Sequence, residues 1–248
     1  KMSAYADDLT LLINDCDSLE QALQNAQEFG NFSGLKVNQD KTEIITVGQP
    51  ALSDQMAALQ KTSIKVTGVV HSTTENAAER DLGNFQTALD KLRNLLNCWK
   101  SRNLSLLGRA QVLKTQGLPQ FACLANAINI PERFLKQVNQ LVYQFLWRGG
   151  NQLKRVVAAR KIEEGGLNFP VPEDWFRAAS IKWFKLVNES THPWTDFLNM
   201  DLEAMGGARS LQRNNRLIRS NKFLPFNAHL FREWKSWNNQ FPGSPEST

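Results

Sequence analysis

The residues best suited to chemistry stand near the front of the chain, at Tyr5-Ala6-Asp7-Asp8. Two adjacent carboxylates are hard oxygen donors of the kind Mg²⁺ favours while it keeps water and phosphate ligands. Two divalent cations held close together can activate an attacking hydroxyl and stabilise a leaving oxygen, which is the chemistry of nucleotidyl transfer. The plain alternative is a turn, because aspartate is a common turn former. Asp7 and Asp8 are therefore candidate metal ligands and catalytic residues only if the surrounding elements hold them at an exposed tip.

Residues 2–13 read as two short strands around a tight turn at Ala6-Asp7, with apolar or β-prone flanks. Ser18, with Gln21 three residues on, has capping-box spacing. Leu19, Ala22, Leu23, Ala26 and Phe29 then recur at helical intervals up to a stop at Gly34. Further strands are expected at 43–47 and at 64–70, the latter with Gly68 inside it. From residue 75 the period becomes helical: Ala78, Leu82, Phe85, Leu89, Leu92 and Leu96 make one apolar stripe. Ser105 caps a second helix, and Pro131 opens a third that ends at Gly149-Gly150. Trp175, Ala179, Trp183 and Leu186 mark a fourth, and Phe226 to Trp237 a last short one. Pro242-Gly243-Ser244-Pro245 should be disordered.

Charge divides along the chain. Residues 1–60 hold three basic against nine acidic residues, net −6, and residues 61–248 hold 26 against 15, net +11. An acidic front suits a part that gathers cations, and a basic remainder suits a part that meets polyanions. The bland reading is ordinary variation of surface charge. No apolar run approaches bilayer length, so no membrane partner is expected. Cys16, Cys98 and Cys123, like His71, His192 and His229, are too scattered for a local zinc module. The odd cysteine count argues against a disulfide framework, so reduced cysteines of an intracellular protein are expected.

The order of the segments downstream of Tyr5-Ala6-Asp7-Asp8 is more specific than the tetrapeptide. With Ser33-Gly34-Leu35-Lys36-Val37-Asn38 and Lys41-Thr42-Glu43 it resembles motifs C and D of reverse transcriptases of non-LTR, LINE-type retrotransposons. Lys65-Val66-Thr67-Gly68-Val69 resembles the primer grip, motif E, with Thr67 where that motif has leucine. Trp99 to Arg109, Phe145-Leu146-Trp147 and Glu164-Gly165-Gly166-Leu167 resemble the family's thumb, so the resemblance covers about residues 1–187.

The resemblance implies an α+β chain: a partial palm over 1–72, a mainly α-helical thumb over 73–187 and a C-terminal extension over 188–248. It implies an RNA-directed DNA polymerase using an RNA template, a DNA primer, deoxynucleoside triphosphates and Mg²⁺, with Mn²⁺ as a substitute. Asp7 matches the principal metal-binding carboxylate, Asp8 its neighbour with a lesser role, and Tyr5 a residue lining the template–primer path. Gly68 matches the primer grip. Lys41 matches the lysine placed to protonate the leaving pyrophosphate, or else is a solvated loop lysine with Lys36 close by. Lys100, Arg102, Arg109 and Lys114, and a second cluster with Arg148, Lys154 and Arg155, should bind nucleic acid through phosphates, without base preference. Each could instead be a solvated helix face. Trp99 and Trp147 read as core. Motifs A and B and the fingers precede motif C in the family, so residues 1–248 are expected to be a fragment, inactive alone and in need of a fingers–palm segment. An active element would place it in nucleus and cytoplasm. The competing reading is a helical nucleic-acid-binding module without catalysis.

Overall fold

The computed structural model describes residues 1–48, 52–73, 77–148, 150, 154–207 and 223–240. The fold is α+β: two small antiparallel hairpins near the front, and helices almost everywhere else. Two compact units divide the chain, Lys1–Asn84 and Phe85–Thr248. No described helix is long and apolar enough to cross a membrane.

The first unit opens with strands β1, Met2–Tyr5, and β2, Asp8–Leu11, in a register pairing Met2 with Leu11 and Tyr5 with Asp8. The turn at Ala6-Asp7 puts Ala6 at φ 53°, a left-handed backbone that costs an L residue about 1–2 kcal/mol. Helix α1, Cys16–Ser33, is capped three residues before the expected Ser18. Asp15 is the N-cap, its carboxylate accepting from the Ser18 amide at 2.7 Å. That hydrogen bond lowers the Asp15 pKa. Ser18 is thus the residue being capped. Gly34 stops the helix as expected, in the left-handed conformation at φ 76°.

Beyond α1 the strand expected at 43–47 is reduced to a single parallel bridge, Ile44 with Gln60. The short helix α2, Asp54–Ala58, lies between those partners in sequence. The strand expected at 64–70 is a hairpin instead, β3 Ser63–Val66 and β4 Val69–Ser72. Gly68 is at its turn, not inside a strand: Thr67 at φ 46° and Gly68 at φ 90° are both left-handed. Two-residue hairpin turns demand this, because it matches the twist of the strands. Asn84, on the next helix and 6% exposed, then acts as a substitute strand for β4. Its Oδ1 accepts from the Val70 amide at 2.8 Å and its Nδ2 donates to the Val70 carbonyl at 2.9 Å.

The second unit is built on helices. In α3, Ala77–Lys100, the expected stripe is buried at Phe85, Leu89, Leu92 and Leu96 and half-buried at Leu82. Each such side chain contributes about 1.5–3 kcal/mol. Ser105 caps α4, Leu106–Val112, accepting from the Gly108 amide. The helical path then widens into a π turn at Leu113–Gly117 and tightens through Leu118–Phe121 into α5, Ala122–Ala127. Pro119 accounts for the widening, since it has no N–H to give to the preceding turn and its ring crowds the carbonyl four residues back. α6, Glu132–Trp147, buries Phe134, Val138, Val142, Phe145 and Leu146. Pro131 is its N-cap residue, one place earlier than expected, and Arg148 ends it in the left-handed conformation at φ 51°. Trp147 is core; Trp99 is half-buried.

After α6 comes a short helix, α7, Arg155–Ala159, against which the 166–169 backbone folds back. Leu167 and Phe169 amides both donate to the Ala158 carbonyl, and the Asn168 amide donates to that of Arg160. Gly166 is required here: a Cβ would strike the Arg160 carbonyl and come within 2.7 Å of the Val157 oxygen. α8, Pro172–Glu189, carries on its second half a further core made with α9, Trp194–Ala204, and α10, Pro225–Gln240. Phe184, Val187, Leu198, Leu202, Phe231 and Trp234 form it. Arg177 of α8 clasps α10 through Glu233 at 3.0 Å and Gln240 at 3.3 Å. Residues 242–245 lie outside the described residues.

These contacts set three measurable outcomes. Asn84→Ala should cost about 1–2 kcal/mol and speed amide exchange at Val70, because two hydrogen bonds to one peptide are lost. Gly166→Ala should cost about 3 kcal/mol in chemical denaturation, since backbone rather than a flexible side chain must yield. The third outcome concerns His229 of α10, whose Nε2 lies 3.4 Å from the Ser180 hydroxyl on α8. Burial lowers its pKa below the ordinary 6.5; Glu233 opposes that and Arg232 adds to it. The folded state therefore resists the proton that the unfolded chain accepts, and the contribution is complete above pH 6.5 and lost as pH falls below it. Melting temperatures between about pH 5 and 8 should fall on the acid side, less so in His229→Gln.

Candidate functional site

The hairpin turn presents Asp7 and Asp8 side by side, both exposed, at the junction of the turn and β2. Tyr5, directly across the register from Asp8, is 70% exposed. Neither aspartate is in an ion pair among the described residues, so both carboxylates face solvent as open acceptors. Such oxygen donors fit a hard divalent cation. They fit it as part of a set. No group of three His, Cys, Asp or Glu is gathered closely enough to hold a metal ion among the described residues.

Lys41 ends a separate 3-10 turn, Gln39–Lys41, exposed to solvent. Asn38 caps that turn, its side chain accepting from the Lys41 amide at 3.3 Å and its carbonyl accepting from the Thr42 hydroxyl at 2.9 Å. The backbone that carries Lys41 is thereby fixed, while its ammonium is tied by no hydrogen bond or ion pair to the hairpin among the described residues. Gly68 lies at the tip of the second hairpin.

In the second unit four of the expected basic residues come to one corner. Lys100 closes α3, and Arg102 stacks over the Trp99 ring at 4.8 Å. The Trp99 indole N–H donates to Gln116 at 3.0 Å, fixing the platform. Arg148 reaches back from the end of α6: its Nη2 donates to the Arg102 carbonyl at 2.9 Å and its Nη1 to Asn103 Oδ1 at 3.3 Å. Arg109 of α4 is close enough for the Arg148 charge to act on it. It is buried, 6% exposed, where a plain surface cation was expected. Lys114 lies on the π turn, half-buried.

Lys154 and Arg155 begin α7. The Arg155 guanidinium sits 4.3 Å above the Tyr143 ring, which stacks on Trp147 at 4.7 Å and meets Phe169 edge-on. Burial raises the Tyr143 pKa, Glu173 adding to the effect and Arg155 opposing it. Arg155 is thus held by a stack of rings rather than left free. Asn103, the anchor for Arg148, and Tyr143, the platform for Arg155, carried no signal in the sequence. Their partners lie 45 residues away for Asn103 and in a different helix for Tyr143.

Comparison with known proteins bears on the hairpin first. The sequence model of the reverse transcriptase (RNA-dependent DNA polymerase) family matches residues 1–71, which hold the first hairpin, α1, the Lys41 turn and all but the last residue of the second hairpin. The chain is also 26% identical over 174 residues to an uncharacterized 149 kDa protein of transposon TX1 from Xenopus laevis. That likeness covers 66% of this chain and 13% of the transposon protein, so the chain spans a small part of its relative's length. Residues 1–71 are therefore a reverse transcriptase region, and the chain carrying them is a distant relative of the transposon protein.

Proposed function

We propose that this chain supplies the carboxylate hairpin and the primer-holding surface of an RNA-directed DNA polymerase. The observation that carries the reading is the hairpin itself: two adjacent, exposed carboxylates in no ion pair among the described residues, in the region that matches the family. Asp7 and Asp8 would hold Mg²⁺, with Mn²⁺ as a substitute. When bound, the metal supplies Lewis acidity for an attacking primer hydroxyl and a leaving phosphate oxygen. Lys41, on its capped turn, is suited to give a proton to departing pyrophosphate, and Tyr5 and Gly68 to line the template–primer path. Lys100, Arg102, Arg109, Lys114, Arg148, Lys154 and Arg155 neutralise backbone phosphates without reading bases. The substrates are an RNA template, a DNA primer and deoxynucleoside triphosphates.

The first unit gives a reason to expect that a fingers–palm segment completes the site. Met56 and Val69 are its buried apolar residues among those described, and α1 has none. Leu9, Leu12, Phe29 and Phe32 are 53%, 68%, 62% and 93% exposed. Two-stranded hairpins are marginal without a face to pack on. The same contrast favours a second reading, a helical module that binds nucleic acid without catalysis, because the second unit is the well-packed one.

Primer extension on an RNA template separates the two. Residues 1–248 alone should give no detectable synthesis with Mg²⁺, and an added motif A–B segment should restore it. Asp7→Ala should then lower the rate at least about a thousandfold, the scale of losing a charge-stabilising group. Restored synthesis that survives Asp7→Ala overturns the carboxylate assignment and leaves the helical module.

A further inference from the structure

We propose that Arg102, carried on the Trp99 ring, is a stacking seat for one unpaired nucleobase at the basic corner of the second unit. The inference deepens the nucleic-acid contact proposed above, and rests on it, by naming the form of strand held there. That form is a single strand, which offers the face of a base as well as its phosphates.

The sequence around the pair suits a polyanion. From Lys91 to Pro131 stand six Lys or Arg residues and no Asp or Glu. Charge alone would suit any anion, but the geometry of Arg102 is more selective. Its guanidinium lies over the Trp99 indole, 4.8 Å from the ring centre. The residue is nevertheless exposed, and its side chain enters no ion pair or hydrogen bond among the described residues. One face of a planar cation is thus covered by a ring while the group stays open to solvent.

The pair is held from several sides. The Trp99 N–H donates to Gln116 Oε1 at 3.0 Å, which fixes the plane of the indole. The Arg102 amide donates to the Trp99 carbonyl at 3.1 Å. The Arg102 carbonyl accepts from the Leu104 amide and from Arg148 Nη2, both at 2.9 Å. Contacts from α3, the π turn and the end of α6 therefore converge on these two residues. An exposed cation–π contact is by itself a weak stabiliser, and an ordered arginine gives up rotamer freedom at least as large. Stability alone is thus a poor reason for the order. A held planar cation is what an unpaired base needs, since guanidinium planes and aromatic rings are the surfaces on which such bases stack. A phosphate would use the N–H edge of the group and a base its face, so one strand can use both. Stacking through a face reads no base identity, in keeping with binding that is otherwise to the backbone.

The experiment uses the full chain and three probes, each titrated at several salt concentrations. They are a labelled oligothymidylate, a strand of equal length in which every residue is abasic, and a blunt RNA–DNA hybrid duplex. Arg102→Lys keeps the charge and the backbone hydrogen bonds and removes the plane; at an exposed position it should fold as the parent does. Trp99→Leu removes the ring beneath, and Trp99→Phe keeps one.

The parent should bind the strand with bases about tenfold or more tighter than the abasic strand, the scale of stacking one base. That ratio should fall about tenfold in Arg102→Lys and in Trp99→Leu, and most of it should remain in Trp99→Phe. Arg102→Lys should leave abasic binding, duplex binding and the salt slope as in the parent, because the charge is kept. A fluorescent purine analogue placed in the strand should be quenched by the parent and not by Arg102→Lys. If the parent binds both strands alike, or Arg102→Lys keeps the ratio, the seat is overturned and Arg102 is a phosphate cation only. An equal loss on the blunt duplex also overturns it, because no unpaired base is present there. A parent that binds neither strand nor duplex takes down the nucleic-acid surface together with the seat. A completed polymerase that makes no DNA while the Arg102-dependent ratio stands sinks the catalytic reading and leaves the seat.

Discussion

Helix α6 is buried along Phe134, Val138, Val142 and Leu146, and its neighbours are held to it by ring contacts and by hydrogen bonds. α3 meets it through Phe85 and Phe134, with ring centroids 5.6 Å apart. The loop after α7 meets it through Phe169 against Tyr143, and α8 through Glu173, which accepts from Asn139. The loop between α3 and α4 is tied to its C-cap, Arg148. Packing of this one stripe therefore bears on where Arg148, at the end of α6, and Arg155, over Tyr143, stand. A lesion in it would misplace Arg148 and Arg155 together, although neither residue is in the core.

The first unit obeys a different constraint. Its hairpins are set by turn chemistry and by borrowed hydrogen bonds rather than by a core. β4 is completed by the Asn84 amide group, a side chain doing what a third strand would do. β1 and β2 have no comparable support among the described residues, and the left-handed Ala6 adds local strain beside Asp7. Strain of this sort persists where the surroundings over-determine it. Apolar side chains such as Phe32 remain in water. The part that carries the carboxylates is thus the part with least packing of its own.

Electrostatics separates the two units more cleanly than burial does. Net charge is −6 over residues 1–60 and +11 over the rest. An acidic stretch repels a polyanion and a basic one attracts it.

Local signals in the sequence sufficed wherever one residue could settle the geometry. Gly34 ends α1, Ser105 caps α4, and the Leu89-Leu92-Leu96 stripe is buried, because each rests on contacts within a turn or two. The acidic turn at Asp7 was legible for the same reason. Competing local choices were harder to read: Asp15 outcompeted Ser18 as cap, and Thr67-Gly68 folded as a turn because two left-handed residues in a row suit a hairpin. What only the tertiary structure decided is the company that charged and polar groups keep. Nothing within a helical turn of Arg109 shows that it is buried, and nothing near Asn103 shows that it holds Arg148 from 45 residues away. Charge is a property of a side chain, but its cost or use depends on the dielectric and the partners around it, and those are assembled only when α6 is packed.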